Sequence, residues 1–295
     1  MDPQDSTMTM RTSISALVAV TLCHLGISLM AGDPPTTGIY AQDNLVAWCI
    51  VPFDANKRGP AERAEMLARL GFRHVAYDWR AEHVATFEEE ILQYKKHNLN
   101  YFAFWSWHDA MEPLIKKYGI RPQIWSTALS PPADTQQARV KAAANAVLPL
   151  VEKTRSLGCR FGLYNHGGWG GAPENLVAVC QYLREHHQGD HVGIVYNFHH
   201  GHEHMVDFRS QLQIMKPYLL CLNINGMDDA VTVAAGTNKI LPVGSGRHEL
   251  SMLQTVKSSG YDGPVGILDH RSNLDAEKSL RQNLDGLKKL VAGGL

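Results

Sequence analysis

The sequence predicts one α/β domain, a single (β/α)8 TIM barrel behind an N-terminal signal-like segment. Three observations lead there. From about residue 44 onward, short apolar runs alternate with helical patterns, the rhythm of parallel βα units. Eight such units fit into roughly 250 residues, the length a closed barrel needs. No linker, composition shift or short repeat divides the chain. An open doubly wound sheet is the competing architecture, but no Gly-x-Gly-x-x-Gly follows the first strand.

The units follow in order. Residues 45–51 (LVAWCIV) read as the first strand, and a helix over 60–70 ends at Gly71. A strand at 72–77 precedes a helix over 87–97, and a strand at 101–105 precedes a helix near 110–118. Residues 122–129 supply a fourth strand. The Ala-rich stretch 135–157, opened by Thr135 and closed by Gly158, carries the clearest helix signals in the chain. Residues 161–164 form the fifth strand, and Pro173 sits where a helix over 174–186 begins. Strands at 192–196, 218–224 and 264–268 complete the set, each followed by a helix, the last over 275–290.

Ahead of the barrel, residues 14–30 (ISALVAVTLCHLGISLM) follow Arg11 as an apolar run does in a secretory signal. Ser15, Thr21 and His24 interrupt the run, which is short for a membrane span. The expected organisation is a signal over 1–31, a linker over 32–43 and the barrel over 44–295. Export follows, with no stable membrane span once the signal is gone. Of five cysteines, Cys23 leaves with the signal; Cys49, Cys159, Cys180 and Cys221 form no Cys-x-x-Cys and read as buried free thiols.

Charge narrows the function. With 28 Lys+Arg against 29 Asp+Glu and no basic run, the chain lacks the electrostatic term that dominates nucleic-acid affinity. Histidine is over-represented, 15 in all, and those between His186 and His204 are the densest group. His186, His187 and His191 read as a solvated helix end and turn, and His202 and His204 as helix-start residues.

In a barrel the chemistry gathers at the C-terminal ends of the strands. Those ends carry Asp54, then Asp78-Trp79-Arg80, then Trp105-Ser106-Trp107-His108. The later strands deliver Tyr164-Asn165-His166 with a Gly-rich turn around Trp169, Asn197 with His199 and His200, Asn223, and Asp269-His270-Arg271. Aromatic faces suit the apolar face of a sugar ring, and amides and carboxylates suit its hydroxyls. The Gly-rich turn is no phosphate loop, since no Gly-Lys-Ser/Thr follows.

Four segments, LYNHGGWGGAPENL, VGIVYNFHHGHEH, ILPVGSGRHEL and SGYDGPVGILDH with the DAEKSLRQNLDGLKKL that follows it, carry a family resemblance. From Phe161 to the C-terminus the chain resembles the xylose-isomerase-like TIM-barrel superfamily of sugar phosphate isomerase/epimerase-like proteins. The resemblance implies a divalent metal held by Glu, Asp, His and Glu at the ends of strands 5 to 8. Here Tyr164, Asn197, Asn223 and Asp269 stand at those places, while His200 keeps the family's His. Such a set carries little negative charge for Mg²⁺ or Mn²⁺.

Two alternatives follow. One divalent metal (Zn, Mn, Fe or Ni) sits in a non-standard site of His166, His199, His200 and Asp269, or the site works without metal. In the second case a His removes a proton next to a sugar carbonyl. The resulting expectation is a carbohydrate isomerase, epimerase or lyase with a small-molecule sugar as substrate. His166, His200 and Asp269 are its catalytic candidates. Asn165, Trp169, Asn197, Asn223, Trp105, Trp107, Asp78 and His270 are its substrate contacts. The competing reading is a non-catalytic carbohydrate-binding barrel that has lost the family's metal carboxylates. Abasic-site endonuclease activity, also known in the superfamily, is disfavoured by the charge balance.

Overall fold

The computed structural model describes residues 38–229 and 239–295. The signal-like residues 14–30, and with them the expected boundary at 31, lie outside the described residues. No described helix is long and apolar enough to cross a membrane.

Eight parallel strands close into a barrel in chain order, each paired with the next and the last with the first. They are β1 (Leu45–Trp48), β2 (His74–Asp78), β3 (Asn100–Trp105) and β4 (Gln123–Thr127), then β5 (Phe161–Tyr164), β6 (Val192–Asn197), β7 (Leu219–Ile224) and β8 (Val265–Leu268). The helices of the outer layer are α1 (Pro60–Arg69), α2 (Phe87–Lys96), α3 (Met111–Tyr118) and α4 (Gln136–Ser156), then α5 (Pro173–His187), α6 (Phe208–Met215), α7 (Glu249–Ser258) and α8 (Ala276–Ala292). The register shifts by one residue at Val75/Ala76 and again at Ile194/Val195. The predicted units are all present. The observed strand 1 stops at Trp48, because Cys49 turns the chain with φ at +59°.

Local chemistry sets the helix ends. Thr135 accepts the Ala138 N–H at 3.2 Å to start α4, and Asp275 accepts the Glu277 N–H at 2.9 Å to start α8. Gly158 closes α4 at a φ of +67°, where a side chain would be strained. Part of the expected linker belongs to the folded body: Tyr40 is buried, and its hydroxyl donates to the Leu253 carbonyl at 2.7 Å.

Strand side chains alternate between two cores. Tyr77, Phe104, Ile124, Leu163, Ile194, Leu222 and Ile267 face outward and pack under the helices against Leu67, Ile91, Val147, Leu183, Leu212 and Leu253. Val46, Trp48, Ala76, Ala103, Trp125, Tyr164, Val195, Cys221 and Leu268 face inward and fill the barrel. The described cysteines are all buried and free, as the spacing predicts.

The inward aromatics are large, and glycine makes room for them. The Trp48 ring meets those of Trp125 and Tyr164 at 5.0 and 6.0 Å. A Cβ on Gly162 would lie 2.6 Å from Val195 Cγ2 and 2.8 Å from Trp125 Cδ1. Gly162→Ala therefore overpacks the interior. We expect it to lower the free energy of unfolding by about 1–3 kcal/mol in urea titration.

Candidate active site

The C-terminal end of the barrel holds a cavity of about 400 Å³, open mouth included. Three groups of side chains form its wall. Trp48, Trp105, Tyr164 and Phe53 supply aromatic surface; His166, His199, His200 and His270 supply imidazoles; Asp78, Arg80 and Cys49 complete the lining. Trp105 and Tyr164 meet edge to face with ring centroids 4.4 Å apart, and Trp48 Nε1 donates to the Tyr164 hydroxyl at 3.3 Å. Together they make a rigid aromatic floor.

Three loops deliver the histidines. His166 follows β5; His199 and His200 lie in the helical turn that follows β6; His270 follows β8. The His166 and His200 rings are 4.3 Å apart, those of His199 and His200 3.6 Å, and His270 lies against Phe53 at 3.8 Å. Burial, then repulsion from one another and from the Lys239 ammonium, disfavours protonation here. It pushes His199 well below the usual histidine range, His200 down to about 3, and His270 down as well. His199 and His200 are therefore neutral at neutral pH.

Two carboxyls shift the other way. Burial raises Asp78 to about 7 and Asp269 to about 7, although hydrogen bonds and nearby arginines oppose the shift in each case. Only Asp78 lines the cavity. Asp269 is one residue past inward-facing Leu268, so alternation turns it toward α8, where it accepts from the Ser279 hydroxyl and lies 3.6 Å from Arg271. The expected catalytic or metal-binding role for Asp269 finds no support in that placement.

The substrate contacts expected from sequence divide the same way. Asp78, Trp105 and His270 line the cavity. Asn165, Asn197 and Asn223 do not: each is 0% exposed, and they bond to one another across the tops of β5, β6 and β7. Asn165 Oδ1 accepts the Asn197 N–H at 2.7 Å and its Nδ2 at 2.9 Å, and Asn223 Nδ2 donates to Asn197 Oδ1 at 2.8 Å. Trp107 lies past the end of β3, where Ser106 at a φ of +58° breaks the alternation; its indole donates to Asp109 at 2.7 Å. Trp169 is turned toward α4 and donates to Gln136 at 2.9 Å, because Gly170 is pressed against the carbonyls of Ala128 and Leu129.

Sequence reasoning passed over Trp48, Cys49 and Phe53. Trp48 has a legible signal, as the last inward residue of β1; Phe53 has none, lying in an irregular loop. Asp54, at the end of the first unit, is structural: it accepts from Arg58, from the backbone N–H groups of Asn56 and Arg58, and from Ala276 N–H at 3.1 Å. Glu249 likewise receives the N–H groups of Met227, Gly244 and Gly246 and ties down the loop before α7.

The chain is a closed (β/α)8 barrel, and its structural neighbours are barrels of xylose-isomerase-like fold. Among solved structures it is similar to the IolI protein with a binding zinc atom, at a TM-score of 0.66 and 13% identity, covering 85% of this chain and 99% of that one. It is also similar to the 3-keto-D-glucoside 4-epimerase YcjR from E. coli, at a TM-score of 0.58 and 13% identity over 85% of this chain and 99% of that one. A third is D-psicose 3-epimerase, at 0.55 and 13% over 84% and 96%. At these identities the likeness establishes the fold. No family model matches the sequence, and no curated protein matches it.

The metal implied by the fold family does not fit the residues present. At the four ligand positions, the Tyr164 hydroxyl is held by Trp48, with burial pushing its pKa well above the usual range. The Asn197 and Asn223 amides bond within the asparagine ladder, and Asp269 is held by Ser279. Among the described residues no three His, Cys, Asp or Glu side chains are arranged to hold a metal ion, the set of His166, His199, His200 and Asp269 included.

Two measurements check this account. Asn197→Ala leaves the Asn223 Nδ2 donor unpaired in the interior, while Asn165 keeps its bonds to the Asn197 backbone N–H and carbonyl. We expect it to cost about 1–3 kcal/mol of stability in urea titration. Asp269 keeps its proton in the folded protein between about pH 4 and 7, where the unfolded chain has lost it, so its contribution to stability falls as pH rises through that window. Denaturation from pH 4.5 to 7 should show Asp269→Asn gaining on wild type by on the order of 1 kcal/mol per pH unit.

Proposed function

We propose that the protein is a carbohydrate isomerase, epimerase or related lyase that moves a proton next to the carbonyl of a sugar or keto-sugar. One observation carries this reading: a single cavity combines aromatic faces with closely spaced imidazoles, His199 and His200 held neutral by burial, at the C-terminal end of the barrel. Half-buried Trp105 and Phe53 offer surface for the C–H face of a sugar ring, while Asp78, Arg80 and the histidines surround it with hydrogen-bonding groups. The epimerases among the structural neighbours support the same class of chemistry.

The residues divide the work. Neutral His200 keeps an N–H available to a carbonyl oxygen and stabilises the enediolate that forms when the neighbouring carbon loses its proton. His166 faces it from the rim, 4.3 Å away between ring centroids, and handles the proton. Elimination shares this intermediate, so a dehydratase is a close variant. The same proposal takes residues 1–31 as an export signal.

The test is a panel of aldoses, ketoses and keto-sugars in D₂O, followed by NMR for deuterium uptake at carbon and for product. We expect uptake that survives chelator treatment and falls about 10²–10³-fold in His200→Ala. Sugar binding without uptake would favour the non-catalytic carbohydrate-binding barrel, a reading supported by the loss of the family's metal ligands. Neither binding nor uptake would sink both.

A further inference from the structure

Asp78 ends β2 and pairs in register with Trp105 of β3, on the wall of the cavity. It is 1% exposed. Oδ1 accepts the Val51 N–H at 3.3 Å, whereas Oδ2 is buried with no hydrogen-bond partner. A buried carboxyl oxygen is ordinarily bonded, so an unbonded one on a residue that lines the cavity points to a partner the protein does not supply.

The charged and titratable groups around Asp78 do not fill that role. Arg63 of α1 is engaged with Glu90 of α2 at 2.6 Å. Arg80, in the loop after β2, donates to the Trp79 carbonyl and lies over the Phe53 ring. Cys49 after β1, Tyr77 on β2, Tyr101 on β3 and Tyr164 on β5 also feel the carboxyl, and burial holds each of them protonated.

Resting on the carbohydrate reading above, we propose that Asp78 is a second proton-transfer residue, acting on the substrate from the β2 side of the cavity while His166 acts from β5. The two strands stand three places apart around the barrel, so the groups approach a bound sugar from different directions. In the forward step Asp78 Oδ2 takes the proton from the carbon next to the carbonyl. The C–H bond breaks, its electron pair forms the C=C of the enediolate, and the carbonyl oxygen gains the negative charge beside the His200 N–H. For the isomer, Asp78 gives that proton to the former carbonyl carbon while the neighbouring hydroxyl proton passes to the oxyanion, which leaves Asp78 ionised again. For the epimer, His166 delivers a proton to the opposite face of the same carbon, the C=O re-forms, and exchange with solvent at the open mouth moves the Asp78 proton back to His166. Burial suits it to the step, because a carboxylate that protonates at about 7 is a stronger base than an exposed one.

The experiment follows deuterium uptake into a keto-sugar by NMR and sugar affinity by calorimetry, on wild type, Asp78→Asn and Asp78→Glu. Uptake by wild type should rise with pH through about 7. Asp78→Asn, which keeps an acceptor for the Val51 N–H, should lose about 10²–10⁴-fold in uptake while sugar binding stays measurable by calorimetry, and Asp78→Glu should recover part of the uptake. Uptake by Asp78→Asn at the wild-type rate would overturn the proposal. A wild type that neither binds sugars nor exchanges protons overturns the carbohydrate reading instead, and infrared difference spectra against Asp78→Asn then decide Asp78 separately. A protonated-carboxyl band that titrates near pH 7 keeps its proton-carrying role; an Asp78 ionised throughout pH 5–9 ends it.

Discussion

Four aromatic rings share the space inside the upper barrel, and the rest of the site is arranged around them. Trp48, Trp105, Trp125 and Tyr164 come from β1, β3, β4 and β5, and their edge-to-face contacts fix how deep the cavity runs. The packing is possible because β5 carries glycine at its other inward position, Gly162, directly under Trp125. The Tyr164 hydroxyl, held by the Trp48 indole, closes the floor of the cavity.

This aromatic floor has electrostatic consequences. A floor of indole and phenol is a poor solvent for ions, so groups placed on it are driven toward their neutral forms. Histidines give up protons and carboxyls keep them, which is the pattern seen in His199, His200, His270 and Asp78. Neutral imidazoles and a carboxyl that protonates at about 7 in one cavity are suited to carrying protons. The buried asparagine ladder plays a separate part: it clamps the tops of β5, β6 and β7 together, and so holds the loops that bring His166, His199 and His200 into contact.

Part of the cavity lining is legible in the sequence. His166, His199, His200, His270, Asp78 and Trp105 all stand at strand ends in the sequence, and all line the cavity. The residues that do not reach it failed for local reasons. Trp107 lies beyond the last residue of its strand, where alternation no longer applies. Trp169 follows a glycine pair with positive φ that starts a tight helical turn. Asp269 took its expected role from the family pattern, whereas the inward-facing Leu268 beside it sends its side chain to the helix layer.

Order and type of the βα units are local properties, written in apolar period, caps and glycine stops, and the sequence alone determined them. It also determined which residues crowd the C-terminal end of the barrel, because strand ends are set by the same signals. Only the tertiary structure decided which of those residues share a cavity and which bond to each other. Asparagine reads identically as a sugar ligand or as a ladder rung, and an aspartate's burial depends on elements distant in the chain. Asp54 is held by the start of α8, more than two hundred residues later. Such partners exist only once the barrel has closed, and the burial that comes with closure is what shifts His199, His200 and Asp78.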